Sequence, residues 1–284
     1  MSRVTKRLAP PPTKHISATE WSRVARPQLD GSDTAVMLAN ANRLGWFRAD
    51  SRARRTILNR VAIRTLPVGR HTPSGWRPGD PAHEHFTEAA TCLRLLWSEV
   101  ATQFAQLVST VYAVDLDSSA RVGYSSDHWT TGPFTIAVTY FDPLGTAEGM
   151  VHELAHLKLL YLGVPREGKS VLLRNSPLER YPSPVRGCDR PMPAVLHALY
   201  SWVHMLHLEL RMRQPRRERR LQRAARNLMW VSQMRQTIDR HARWTRNGEA
   251  WYEGLRAWTD DLMRQGATIS GASYRSIPSR PNTT

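Results

Sequence analysis

The sequence predicts a mainly α, α+β fold: a helical domain with a small β-sheet placed ahead of one central helix. Three observations carry this. Apolar residues recur at helical spacing over the long windows 83–112, 194–213 and 216–245. One stretch, Phe134-Thr-Ile-Ala-Val-Thr-Tyr140, alternates instead and is rich in β-branched side chains. That strand leads within a few residues into a second helical pattern ending at Tyr161.

In chain order, residues 1–30 hold Pro, Lys, Arg and Thr without apolar periodicity and read as a flexible basic arm. Helical patterns follow over 33–64, broken near Gly45. Val68–Pro81 is a loop by its Gly and Pro content. The next helix, from about Pro81 or His83 to Tyr112, lines Leu93, Leu96, Trp97, Val100, Phe104 and Leu107 along one face. Gly132-Pro133 and Asp142-Pro143 bound the strand, and an amphipathic helix starts near Thr146. An irregular proline-rich stretch spans 164–193, with a helix over 194–213 after it. Pro215 interrupts the pattern before an Arg-rich helix over 216–245 and a last helix over 249–264. The organisation expected is one domain over 31–264, flanked by the arm and by a disordered Ser/Pro/Thr tail over 265–284.

Composition narrows the class. A 41% hydrophobic content in 284 residues suffices for a proper core. No apolar stretch is long enough to cross a bilayer, and the N-terminus lacks the apolar centre of a secretory signal. Cys92 and Cys188 are too few for a disulfide framework, so a reducing, cytoplasmic setting is expected. The formal charge is +16, and all but four of the 40 basic residues are Arg. The densest cluster runs from Arg211 to Arg226. It has no interleaved aromatic residue, which argues for a solvated helix face and against stacking on nucleic acid.

The chemistry centres on His152-Glu153-Leu154-Ala155-His156. On a helix, residues i and i+4 share a face, so two imidazoles at this spacing can grip one metal ion. Two histidines need a third protein ligand. Leu159 and Leu162 stand where the long zinc-peptidase extension needs Gly and His, so that pattern is absent. Glu209, on a following helix, is the thermolysin-like candidate, but its neighbours Arg211 and Arg213 suit an exposed ion pair. His197, His204 and His207 lie near one helical stripe. The first two are about 10 Å apart along the axis, so one metal cannot bind both. His83-Glu84-His85 has the wrong spacing and reads as a helix start.

Two blocks carry a resemblance: Gly149–Leu160 around the HExxH, and Ser183-Pro-Val-Arg-Gly-Cys-Asp-Arg-Pro-Met-Pro-Ala-Val-Leu-His-Ala-Leu-Tyr-Ser-Trp202. Together they resemble the HExxH-motif peptide-modification family, associated with ribosomally made, post-translationally modified peptides. The resemblance implies an iron(II)- and α-ketoglutarate-dependent oxygenase that β-hydroxylates a residue of a precursor peptide. It implies His152, His156 and His197 as metal ligands and Arg186 or Arg190 as the cosubstrate anchor. It also aligns Tyr200 with a family tyrosine and Thr245-x-x-Gly248 with a closing element. The likeness spans roughly 130–255 and departs from the family at Val185 (for Trp), Gly187-Cys188-Asp189 and Ala198 (for Gly).

The residue chemistry stands beside it. Three protein ligands on one face of iron leave positions for a bidentate keto acid and oxygen, and the distal carboxylate suits an arginine fork. Glu153 has two possible jobs: general base for metal-bound water in a zinc metallopeptidase, or support for a ligand or substrate amide in an oxygenase. The resemblance makes Tyr200 the further catalytic candidate. A zinc peptidase and a non-enzymatic Arg-rich binding protein remain the alternatives. No oligomeric state follows from the sequence.

Overall fold

The computed structural model describes residues 18–43, 56–65, 76–78, 83–116, 134–139, 142–185, 187–212 and 217–270. Its helices are α1 (Ala18–Val24), α2 (Ser32–Arg43), α3 (His83–Leu96), α4 (Ser98–Leu107), α5 (Pro143–Tyr161), α6 (Met192–Arg211), α7 (Arg217–His241) and α8 (Arg246–Ser270). The strands are β1 (Thr56–Ile57), β2 (Val61–Thr65), β3 (Trp76–Pro78), β4 (Thr110–Leu116), β5 (Thr135–Thr139), β6 (Tyr181–Ser183) and β7 (Cys188–Arg190). The chain is thus mainly helical, with a small sheet ahead of the central helix. Among the described residues, no helix is long and apolar enough to cross a membrane.

Strand β4 organises the sheet. β2 pairs with it in parallel along Thr110–Ala113, and β5 pairs in parallel along Thr110–Val114. β3 meets Val114–Leu116 antiparallel, and because Val114 already faces β5 on one edge, β3 shares the other edge with β2. β1 closes the β2 side as an antiparallel partner.

Several sequence expectations change here. The helical pattern expected to reach residue 64 gives way to β1 and β2. The helix expected to reach Tyr112 breaks at Trp97 (φ −153°, ψ 76°) and ends at Leu107, so that residues 110–116 become the central strand. Both errors have one cause: short apolar runs rich in Val, Ile and Thr fit either period, and sheet pairing decides. Part of the expected flexible arm is also a helix. α1 buries Trp21, Val24 and Ala25 against α8, an i, i+3, i+4 triplet obscured by its Arg and Pro neighbours. At the other end α8 continues to Ser270, into the expected tail.

α5 holds the HExxH. It starts three residues earlier than expected because Asp142 caps it. The Asp142 carboxylate accepts from the backbone N–H groups of Leu144 (3.0 Å) and Gly145 (2.9 Å), with Pro143 at the first helical position. Its end is a Schellman turn. Gly163, at φ +80°, lets its own N–H reach the Leu160 carbonyl (2.9 Å) and the Val164 N–H reach that of Leu159 (2.9 Å). Between these caps the helix is not amphipathic but buried almost all round, wrapped by α2, α3, α4, α6 and β5.

The loop after α5 is tied down by the start of α8. The Thr245 hydroxyl accepts the Gly248 N–H (3.1 Å) and donates to the Val171 carbonyl (2.9 Å), while the Thr245 N–H donates to Leu172 (3.0 Å). A Cβ on Gly248 would stand 2.0 Å from the Leu172 carbonyl oxygen, so only glycine fits. The Thr-x-x-Gly spacing is therefore a helix cap with a close backbone approach.

Candidate metal centre

α5 and α6 pack side by side, and the imidazoles of the motif stand at that contact, where they touch Met205 and His197 of α6. The Nε2 atoms of His152 and His156 face each other at 3.1 Å. Ligands about 2.0–2.2 Å from one metal ion, at angles of 90–110°, stand about 3 Å apart, so the pair is spaced for a shared ion. Glu153 places Oε1 3.7 Å from His152 Nε2. The ligand atoms of His152, Glu153 and His156 all fall within 4.8 Å of one another, the one metal-competent group of this kind among the described residues. Glu153 is 2% exposed and His152 19%, so solvent reaches the group from the His152 side.

Contacts behind the pair constrain its protons. His197 Nε2 lies 2.7 Å from the Val164 carbonyl, which can only accept, so His197 carries its proton there. His197 Nδ1 is then an acceptor, and His156 Nδ1, at 3.1 Å, donates to it. This leaves the His156 Nε2 lone pair directed at His152. His152 Nδ1 lies 3.2 Å from the thioether sulfur of Met205, a weak acceptor, so a proton on that nitrogen has a partner and leaves the Nε2 lone pair facing His156. In that tautomer the two Nε2 lone pairs converge at 3.1 Å, the arrangement that a metal ion between them would bridge; in the other, His152 Nε2–H donates to His156. The residues fit a metal ion.

His197, the third ligand that the resemblance implies, stands beside His156. It touches the rear nitrogen of His156, and its own second nitrogen is committed to Val164. The contacts given to it are those of a group that fixes a ligand's tautomer, a common arrangement behind metal-bound histidines. The Schellman turn at Gly163 is what turns the Val164 carbonyl toward it.

The other candidates separate from this group. His204 donates through Nδ1 to the Tyr200 carbonyl (2.8 Å) and accepts through Nε2 from Lys158 (3.2 Å). Burial first, and then the Lys158 ammonium, hold its pKa well below the usual imidazole range. Lys158 is wholly buried, 4.0 Å from Asp33, and burial lowers its pKa to about 8 against the opposing pull of that carboxylate. Asp33 also accepts from Gln103 Nε2 (2.5 Å). His207 accepts from Trp258 Nε1 (2.9 Å) and stacks on Trp97, with centroids 4.1 Å apart.

Tyr200 packs edge-on to His204, 4.4 Å between centroids, and its buried hydroxyl has no hydrogen-bond partner among the described residues. Burial, then Asp33, raises that hydroxyl's pKa well above the usual phenol value. Its neighbours are those of the lysine cluster rather than of the His152–His156 pair. Glu209, expected as an exposed ion pair, is buried and accepts from Asn227 Nδ2 (2.5 Å). Arg190 is half-buried at the end of β7, directly before Pro191 and α6, while Arg186 falls outside the described residues.

Sequence reasoning had no means of finding Met205, the Val164 carbonyl or the Lys158–Asp33 pairing. All three are contacts between distant segments, and a lysine two residues past the motif's second histidine reads as solvent-facing from the sequence. Compared with known protein families and with curated proteins, the chain matches none.

Proposed function

We propose that this chain is a metal-dependent enzyme acting on a peptide, with His152, His156 and Glu153 gathered on one metal ion. Its reaction is iron(II)- and α-ketoglutarate-dependent hydroxylation. The observation that carries the metal is the 3.1 Å approach of the His152 and His156 Nε2 atoms with the Glu153 carboxylate beside them, all three ligand atoms within 4.8 Å of one another. The choice of reaction rests on Glu153 and on the resemblance to the peptide-modification family. A carboxylate drawn in as third ligand completes a two-histidine, one-carboxylate face and ceases to be the free base that hydrolysis requires.

In this reading His152 and His156 bind the ion through Nε2. His197 holds the His156 ring by accepting its Nδ1 proton, and Met205 steadies His152. Iron supplied with a keto acid and oxygen provides the oxidising chemistry. Burial of Glu153 and His156 between α5 and its neighbours limits water at the centre, which opens on the His152 side. Arg190, with its planar fork of donors, is the candidate for the cosubstrate's distal carboxylate.

The test is anaerobic purification followed by iron(II), α-ketoglutarate, oxygen and a library of candidate peptides. A peptide gaining one oxygen atom, with one succinate formed per turnover, supports the reading. Cleavage that proceeds without oxygen and dies in Glu153→Ala instead assigns a zinc peptidase. Glu153 beside His152 Nε2 also suits that second reading when it stays off the metal and acts as the base.

A further inference from the structure

A second site lies away from the HExxH, in a cleft of about 530 Å³ between the turn after α1, the start of α4 and the adjoining faces of α6 and α8. This is within the size range of small-molecule sites. Its floor is His207, stacked on Trp97 at an interplanar angle of 10° and accepting the Trp258 indole N–H through Nδ1. The proton of a neutral ring is therefore on Nε2, leaving a donor for the cleft.

The charges around it are mostly cancelled. Arg23 pairs with Asp30 (2.9 Å) and Arg211 with Glu99 (3.7 Å), while Asp261 accepts from Gln265 (2.9 Å) and pairs with Arg264 (3.4 Å). Arg26 is the exception: among the described residues no carboxylate lies within ion-pair distance of it. Leu29, 87% exposed, stands at the rim.

We infer that this cleft binds an oxyanion, a carboxylate or phosphate group, held by the Arg26 guanidinium and the His207 Nε2–H. Charge and hydrogen bonding act together there: a guanidinium with no carboxylate partner among the described residues supplies the attraction, and a stacked, indole-anchored imidazole supplies a donor. Burial, then Arg211 and Arg26, lowers the His207 pKa to about 3, so the ring donates as a neutral group across the ordinary pH range. The exposed Leu29 side chain suits a ligand with an apolar body behind its acid group. This site is independent of the metal centre and of the reaction proposed for it.

Titration of the full chain with phenylacetate and, separately, with inorganic phosphate tests this, read by the fluorescence of the tryptophans lining the cleft. Saturable binding of either probe, weakened about tenfold or more in Arg26→Ala and unchanged in His152→Ala, is the expected result. Tighter binding of phenylacetate assigns the physiological anion to an apolar carboxylate, and tighter binding of phosphate to a phosphorylated ligand. Arg26 is exposed, so its replacement leaves the fold intact, and circular dichroism checks this. Absence of binding by both probes, binding that survives Arg26→Ala, or binding lost in His152→Ala overturns the inference.

Discussion

The contact between α5 and α6 holds two histidine clusters, and they solve the same electrostatic problem in opposite ways. In one, the His204 Nε2 lone pair is met by the Lys158 ammonium at 3.2 Å, with Asp33 4.0 Å from the same nitrogen. That cluster contains its own cation and is closed. In the other, the Nε2 atoms of His152 and His156 meet each other at 3.1 Å beside the Glu153 carboxylate, with the His156 proton held behind its ring by His197. This cluster has the spacing of a metal site, and a bound ion would supply its positive charge. Two imidazoles near each other are therefore not in themselves a metal site. What sets the first cluster apart is that Lys158 faces its imidazole.

The widest separation is expected from ligand removal. His156→Ala should abolish stoichiometric metal in natively purified protein, whereas His204→Ala should retain it, as elemental analysis of both will show. Equal loss in the two variants would erase the distinction. Next, Lys158→Met should destabilise the fold by about 3–5 kcal/mol in urea unfolding, because Asp33 and His204 stay buried without their cation. Its metal content should not change. A stable variant would mean that the lysine cluster is not an ionic lock.

A smaller effect is expected behind the pair. His197→Ala should weaken metal binding about 10- to 100-fold in competition with a chromogenic chelator, the range typical of a group that orients a ligand. Complete loss would instead make His197 a ligand. The smallest effect concerns His207, whose pKa burial lowers to about 3. Between about pH 6.5 and pH 3 the unfolded chain binds a proton there that the folded chain refuses. Stability should therefore fall as pH drops through that window, by at most about 1.4 kcal/mol per pH unit, and none of this component operates above it. His207→Asn should flatten that slope in paired urea titrations.

Much of the helical frame was legible from the residues. α6, α7 and α8 follow long apolar periodicities that no other structure satisfies, and β5 declared itself by alternation. The strands at 56–65 and 110–116 did not, because a few apolar and β-branched residues support two periods equally well. Their state depends on partners brought from elsewhere in the chain, β4 for the first and both β2 and β5 for the second. The cap at Asp142-Pro143 was visible but served only as a strand boundary, which set the start of α5 three residues late.

The sequence by itself determined the pairing of His152 with His156, since four residues on a helix bring two side chains to one face whatever surrounds them. Only the tertiary structure decided what that pairing is for. The two rings are contacted from behind by Met205 and by the run from the Val164 carbonyl through His197, groups 8 to 49 residues beyond the end of the motif in the chain. The lysine that neutralises His204 rather than facing solvent is likewise a product of α2, α5 and α6 converging. Local spacing sets which atoms meet along one helix. Packing between helices sets their charge, tautomer and access to water, and with them the chemistry.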